Sequence, residues 1–403
     1  MELTRPKICL NMVVKNNSEL IINTLTNLLE KVNIDYWVIS DLGSQDNTKE
    51  LIQSFFDEKK INGELFDDEF VDFGTNKTFA LNHAYGKSEY LLIMNCGDQI
   101  YGKLIFPDTF DYDAYYLQYG TDDLSYLEIS FINNNKRWEY KGILDAFIMP
   151  MEDSTTTILG GTYLITKYED QQDPENEISL LEPAFQETTD NLLKIKYAFN
   201  CANAYNIIQN YDLAIEWYKK SIEIEDFNGK QEQYMACIAL HDIYTNIKNT
   251  EAGIEYLEKS YNFDNTRVEG ILLLIQYAIK LDLKDEVFAY YSLIQEYYEN
   301  EYLNDNIFKK LYVNALDYEY VLPATMISQC TDKPEIGIKM YEIIFNKQNM
   351  NIKQELIDVL FYNLQYYIDN VTSPEFLTDL KNYLELLKEN NFSTNITFNF
   401  EEN

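Results

Sequence analysis

Apolar and polar positions follow two regimes along this chain. In the first regime short apolar runs are separated by helical stretches. Lys7 to Val14 (KICLNMVV) predicts a strand, broken by Lys15-Asn16-Asn17-Ser18. Ser18 is expected to cap a helix over 19–31, in which Leu20, Ile21, Leu25, Leu28 and Leu29 recur at helical spacing. Tyr36–Ser40 reads as the next strand. A helix from Thr48 to Phe56 follows, with Ser44 or Asp46 as its cap. Glu69–Gly74 predicts a short strand and turn, and a third helix is expected near Lys77 to Tyr85. Glu89–Met94 has the profile of a buried strand and ends in Asn95-Cys96-Gly97-Asp98. Such alternation predicts a mostly parallel sheet with helices on both faces. Tyr112–Tyr119 and Tyr126–Ile132 read as later strands, and Trp138–Gly142 as an extended segment.

After about Lys167 the period changes. Residues 168–190 open with a polar, acidic stretch and are expected to form a linker. From Leu192 onward helical periodicity dominates. Ala214–Ser221 (AIEWYKKS) and Gly253–Ser260 (GIEYLEKS) are alike, and Glu286–Ser292 is a looser copy. The spacings are 254 − 215 = 39 and 287 − 254 = 33, close to the ~34 residues of a tetratricopeptide repeat. Tyr197, Ala198, Cys201, Ala204 and Tyr205 line one face of the preceding helix, where small residues allow close pairing. The expected organisation is therefore an α/β domain at 1–167, a linker at 168–190, a tetratricopeptide-like all-α repeat domain at 191–375, and a C-terminal helix and tail at 376–403. Trp217 and Tyr256 hold equivalent repeat positions and are expected in the solenoid core.

Composition narrows the function classes. The chain has 403 residues, with 32 basic and 67 acidic side chains and a net charge of −35. That charge argues against nucleic-acid or anionic-membrane partners, while leaving room for a nucleotide held by local donors. No apolar run approaches the ~20 residues of a membrane span. The five cysteines are scattered and the only histidines are His83 and His241. Reduced thiols in a cytoplasmic protein are expected, and no zinc site. His83 lies on an apolar helix face and is expected to pack rather than react.

The chemistry is concentrated where Tyr36-Trp37-Val38-Ile39-Ser40 runs into Asp41-Leu42-Gly43-Ser44-Gln45-Asp46-Asn47-Thr48. A carboxylate at the C-terminal end of a strand sits where open α/β sheets bind ligands. The segment resembles the D-x-G-S-x-D-x-T element of family 2 glycosyltransferases. Val13-Val14-Lys15-Asn16 is similar to that family's V-K-N-E, and Asp72-Phe73-Gly74-Thr75-Asn76-Lys77 to its D-F-G-x-N-R. Trp138-x-Tyr140-x-Gly142 is similar to the segment before its H-E pair, and Asp317-Tyr318-Glu319-Tyr320 to a Y-D-Y element of its helical extension.

The resemblance implies a glycosyltransferase A fold. It implies inverting transfer of a sugar from a nucleotide-diphosphate donor, a UDP-sugar ahead of a GDP-sugar, to a protein or glycan acceptor recruited by the repeats. The repeats could also build a homo-oligomer. Asp41 would read the base, and Asn16, Asn17, Gly43, Asn76 and Lys77 would hold the nucleotide. The family also uses Mn2+ or Mg2+ and a base, and here the pattern departs. The expected D-A-D is Asn95-Cys96-Gly97, and the expected H-E is Asp145-Ala146. The Glu of V-K-N-E is Asn17, and the Arg after Asn76 is Lys77, which keeps the charge without the bidentate fork. Two explanations stand. In one the site is rewired, with Asn95, Asp98 and Asp145 around a metal and Asp145 or Glu139 as base. In the other the chain is an inactive glycosyltransferase-like scaffold or adaptor working through its repeats.

Overall fold

The structure is a computed structural model that describes residues 5–107, 109–121, 124–168, 173–296, 298, 313–314, 322–346, 353–371 and 373–394. The Asp317–Tyr320 element and residues 395–403 of the expected tail lie outside these. The described residues divide into two compact units, Met1–Asp226 and Phe227–Asn403.

The first unit is built on a mixed, mostly parallel sheet. Its strands are β1 (Ile8–Val14), β2 (Tyr36–Asp41), β3 (Gly63–Asp67), β4 (Tyr90–Ile93), β5 (Gln99–Ile105), β6 (Ala114–Gly120), β7 (Leu124–Asn133) and, after a β8–β9 hairpin (Trp138–Lys141, Phe147–Pro150), β10 (Thr156–Ile158) and β11 (Gly160–Thr166). The order across the sheet is β3-β2-β1-β4-β7-β6-β11-β5. Strands β3, β2, β1 and β4 are mutually parallel, β6 and β11 run the same way, and β7 and β5 run against them. The C-terminal ends of β1, β2, β3, β4, β6 and β11 therefore share one edge with the starts of β7 and β5.

Alternation along β1 explains the layers. Ile8, Leu10, Met12 and Val14 point into a core shared with α1 (Ile21–Lys31) and α2 (Thr48–Lys59), where Trp37 stacks on Phe56 at 4.5 Å. On the opposite face Cys9, Val38 and Leu91 pack with Leu81 and Ala84 of α3 (Phe73–Ala84). The buried Asn11 amide ties that helix down, donating to the Ala80 carbonyl at 2.9 Å. Helices α4 (Pro174–Glu187), α5 (Asn191–Ile207) and α6 (Tyr211–Glu223) pack in sequence and complete this unit. Thus the stretch 168–190 contains a helix, N-capped by Asp173, which accepts from the Asn176 amide at 3.1 Å.

Several local expectations need correction. Ser18 does not cap α1; its amide donates to Asp46, and the helix starts at Ile21 with no side-chain cap. The third strand is Gly63–Asp67, not Glu69–Gly74. Asp72 instead N-caps α3, accepting from the Thr75 amide at 2.8 Å and its hydroxyl at 2.7 Å. The apolar Phe70, Val71 and Phe73 that suggested a strand are exposed around that cap.

In the second unit, helices α7 (Lys230–Asn246) and α8 (Thr250–Phe263) pair, as do α9 (Glu269–Lys280) and α10 (Lys284–Glu296). Helices α11 (Leu322–Ile327), α12 (Pro334–Asn346), α13 (Gln354–Leu364) and α14 (Pro374–Glu389) follow and share one apolar core with α9 and α10. Arg267 is buried in this unit. Its guanidinium is paired with Glu269, donates to Gln231 at 2.9 Å, and lies 4.4 Å from the Tyr234 ring centroid. None of the helices among the described residues is long and apolar enough to cross a membrane.

Candidate functional site

The loops after β1 and β2 are zipped together at the C-terminal edge of the sheet. Asp41 is 0% exposed, and its Oδ1 accepts from the amides of Gly43 at 3.0 Å and Ser44 at 2.8 Å. Gly43, with φ 81°, makes that tight return possible. The other carboxylate oxygen, Oδ2, is buried without a hydrogen-bond partner among the described residues. A buried charged oxygen left unpaired is costly, and such atoms concentrate where a ligand supplies the missing partner.

Asn16 and Asn17 bind the two loops to each other. The Asn16 amide donates to Ser44 Oγ at 2.8 Å, and its side-chain oxygen accepts from Gln45 at 2.7 Å. The Asn17 amide donates to Thr48 Oγ1 at 2.8 Å, and its side-chain oxygen accepts from Lys15. Asp46 accepts from the Thr48 amide and hydroxyl and from the Ser18 amide, and these bonds, the Thr48 hydroxyl first, hold its carboxyl well below the usual range.

Asn76 and Lys77 lie in the first turns of α3. Asn76 is fully buried and spends both ends of its amide on the preceding loop, accepting from the Val71 amide at 2.8 Å and donating to the Glu69 carbonyl at 2.9 Å. Both contacts shape the loop. Lys77 is half-buried, with its Nζ 5.2 Å from the Tyr140 ring centroid, and forms no ion pair among the described residues. Burial lowers its pKa, with help from the like charge of Lys167 and against the charges of Glu128, Asp98 and Asp145. His83, at the far end of the same helix, stacks on Phe66 at 4.0 Å and lies 3.1 Å from both Asp68 carboxylate oxygens, a packed position as expected.

The loop after β4 closes on itself. Asp98 Oδ2 accepts from the Asn95 amide at 3.1 Å and from the Asn95 side-chain NH2 at 3.2 Å. Asp98 is 2% exposed, and burial pushes its carboxyl up to about 6 despite those bonds. Gly97 sits at φ 97°, and a Cβ there would come within 2.4 Å of Tyr168 Cβ. The position that would carry the second acid of a D-x-D therefore has neither the backbone angle nor the room for one. Asp145 is exposed on the loop after β8, itself at a positive φ of 45°. That loop meets the start of α3, where the Phe73 amide donates to the Ile143 carbonyl at 3.4 Å.

A hard divalent cation needs several converging oxygens. Asn95 turns its NH2 toward Asp98, and among the described residues no group of three His, Cys, Asp or Glu side chains could hold a metal. Asn95, Asp98 and Asp145 thus do not fit the Mn2+ or Mg2+ that the family pattern implies.

The same edge carries residues that periodicity did not single out. In the antiparallel β11–β5 pair Thr166 faces Gln99, so Lys167 comes out beside Asp98. Lys167 Nζ lies 2.5 Å from Glu128 Oε2, and 5.2 and 5.5 Å from the ring centroids of Tyr119 and Tyr126. Burial pulls this lysine down, but Glu128 and Tyr126 outweigh it and raise its pKa. The available signal was a lone Glu in the apolar run Tyr126–Ile132. A separate groove of about 310 Å3, lined by Ile105, Asp111, Tyr112, Tyr115 and Thr157 among others, opens at the opposite edge of the sheet, away from these groups.

No family model matches the chain, and no curated protein matches it. Among solved structures it is similar to S. aureus TarS residues 1–349 in complex with UDP-GlcNAc, at 12% identity over 64% of this chain and 91% of that one, with a TM-score of 0.35. S. aureus TarS gives 12% identity over 61% of this chain and 54% of that one, with a TM-score of 0.36. The mannosyltransferase PcManGT from Pyrobaculum calidifontis, in complex with GDP-Man and Mn2+, gives 12% identity over 64% and 87%, with a TM-score of 0.33. Superpositions this loose carry no chemistry across, so the residues at the sheet edge are what a function must be built on.

Proposed function

We propose that the first unit is a glycosyltransferase A-type domain that binds a nucleotide-diphosphate sugar at the C-terminal edge of its sheet and transfers the sugar to a protein or glycan acceptor. The observation that carries this is Asp41, wholly buried at a strand end, with one oxygen bonded to loop amides and the other waiting for a donor. A base N–H is a donor of the right kind. In the transfer, the acceptor oxygen bonds to the anomeric carbon as the bond to the diphosphate breaks. The hydroxyl proton passes to a carboxylate, for which Asp145, exposed on the loop after β8 and within electrostatic range of Lys77, is our candidate. No step in this scheme calls on a metal.

The Asp41→Asn variant tests the reading. Asn keeps an oxygen for the Gly43 and Ser44 amides but presents NH2 where Oδ2 stood. Titration calorimetry with UDP and GDP should show one of them binding the wild type, and the variant weakened about 10- to 100-fold. Equal affinity would remove Asp41 from the base site. The unfit cation ligands also favour a second reading, a nucleotide binder without turnover; release of free sugar from a bound donor would exclude it.

A further inference from the structure

The charge balance at the sheet edge points to an anion, not a cation, as the occupant of the space beside Asp98. A cation site needs an excess of converging oxygens. Here one oxygen of each carboxylate is already engaged: Asp98 Oδ2 holds two N–H groups of Asn95, and Glu128 Oε2 holds Lys167 at 2.5 Å. Gly97 adds no ligand, and Tyr168 fills the place one would occupy. What the edge does present is two ammonium groups. Lys77 comes from α3 and has no ion pair among the described residues. Lys167 comes from the end of β11 and lies near two aromatic rings. The register of β11 against β5 sets Lys167 beside Asp98, and Lys77 feels the charges of Glu128, Lys167 and Asp98.

Aromatic walls matter to this arrangement. Tyr140 beside Lys77, and Tyr119 and Tyr126 beside Lys167, remove water from one side of each ammonium, and charges act more strongly where water is excluded. A phosphoryl group is stabilised by a metal ion or by fixed cationic side chains, and lysine serves as a point charge for it. We propose that Lys77 and Lys167 replace the divalent cation and together hold the diphosphate of the donor, with Glu128 as the counter-ion that occupies Lys167 until the diphosphate arrives. This rests on the donor-binding reading above, and it adds a prediction that reading does not make: nucleotide binding independent of metal.

The experiment is calorimetric titration of the full chain with UDP, UMP, GDP and GMP, each in EDTA and in Mn2+. For the diphosphate that binds, affinity in EDTA should lie within about twofold of that in Mn2+. Lys167→Gln and Lys77→Gln should each weaken it about 10- to 100-fold while changing the monophosphate far less. Lys167→Arg and Lys77→Arg keep the charge and should restore most of the affinity. Glu128→Gln should tighten binding, because Lys167 then has no competing carboxylate; a residue that only supports the fold would not change affinity in that direction. Tryptophan fluorescence of each variant checks that it has folded. Binding that requires Mn2+ in the wild type would overturn the proposal while leaving the donor reading intact, as would Gln variants that bind UDP or GDP like the wild type. Failure of every nucleotide to bind, with and without Mn2+, would remove the donor reading and this one together.

Discussion

Replacing Asp98 with asparagine should stabilise the first unit, and only above a defined pH. Asp98 is 2% exposed, and burial moves its carboxyl from the ordinary 3.8 to about 6. Between these values the folded state keeps a proton that the unfolded chain has lost. The contribution is therefore present below pH 3.8 and is lost as pH rises through about 6. Above that pH the ionised, buried carboxylate costs about 3 kcal/mol, at roughly 1.4 kcal/mol for each pH step between the two values. Asparagine has the same shape, carries no charge, and offers an oxygen to the Asn95 amide. The variant should therefore match the wild type near about pH 4 and exceed it by up to ~3 kcal/mol above pH 6. Urea unfolding followed by tryptophan fluorescence is a suitable assay, because Trp37, Trp138 and Trp217 all lie in Met1–Asp226 and report on this unit alone. A variant difference that does not change with pH, or one of opposite sign, would refute the burial account of Asp98.

Two glycines with similar backbone angles should respond differently to alanine. Gly43→Ala meets no atom within 4 Å and pays only for its φ of 81°, about 1 kcal/mol; Gly97→Ala adds a 2.4 Å approach to Tyr168 Cβ and should cost about 2–3 kcal/mol. Equal losses in urea unfolding would show that Tyr168 is not seated on Gly97. In the second unit Arg267→Met removes the guanidinium paired with the partly buried Glu269 carboxylate and should cost about 3–5 kcal/mol, read by far-ultraviolet circular dichroism during unfolding. Adding Glu269→Gln should recover much of that loss, and no recovery would mean that the arginine acts through packing alone.

Local pattern and tertiary register contributed different parts of this picture. Strands β1, β2 and β4 and helices α2, α6 and α8 were legible because each repeats an apolar period within a few residues of itself. Asp41 was legible for the same reason: strand, turn and helix all lie within Tyr36–Thr48, and no distant residue is needed to place it. Strand β3 was not. Its sequence Gly63–Asp67 is half polar and lies at the sheet edge, where one neighbouring strand fixes it and little apolar surface is buried. The nearby apolar Phe70–Phe73 stretch drew the assignment away, because a pattern cannot register that Asp72 would rather cap a helix. The roles of Asn76 and Asp98 also depended on context. Each was a candidate by position, yet one proved to be clamped into its loop and the other buried against Asn95.

By itself, the chain's amino-acid order determined an α/β sheet followed by helices, and an acid at the end of the second strand, because both arise from interactions between near neighbours. Only the tertiary structure decided that Lys167 stands beside Asp98, that Glu128 holds Lys167, and that Tyr168 closes the place of the missing acid at Gly97. Those contacts follow from the register of β11 against β5 and from the antiparallel placement of β7 between β4 and β6. Strand register between distant segments is set by the packing of the whole sheet, which no local period records.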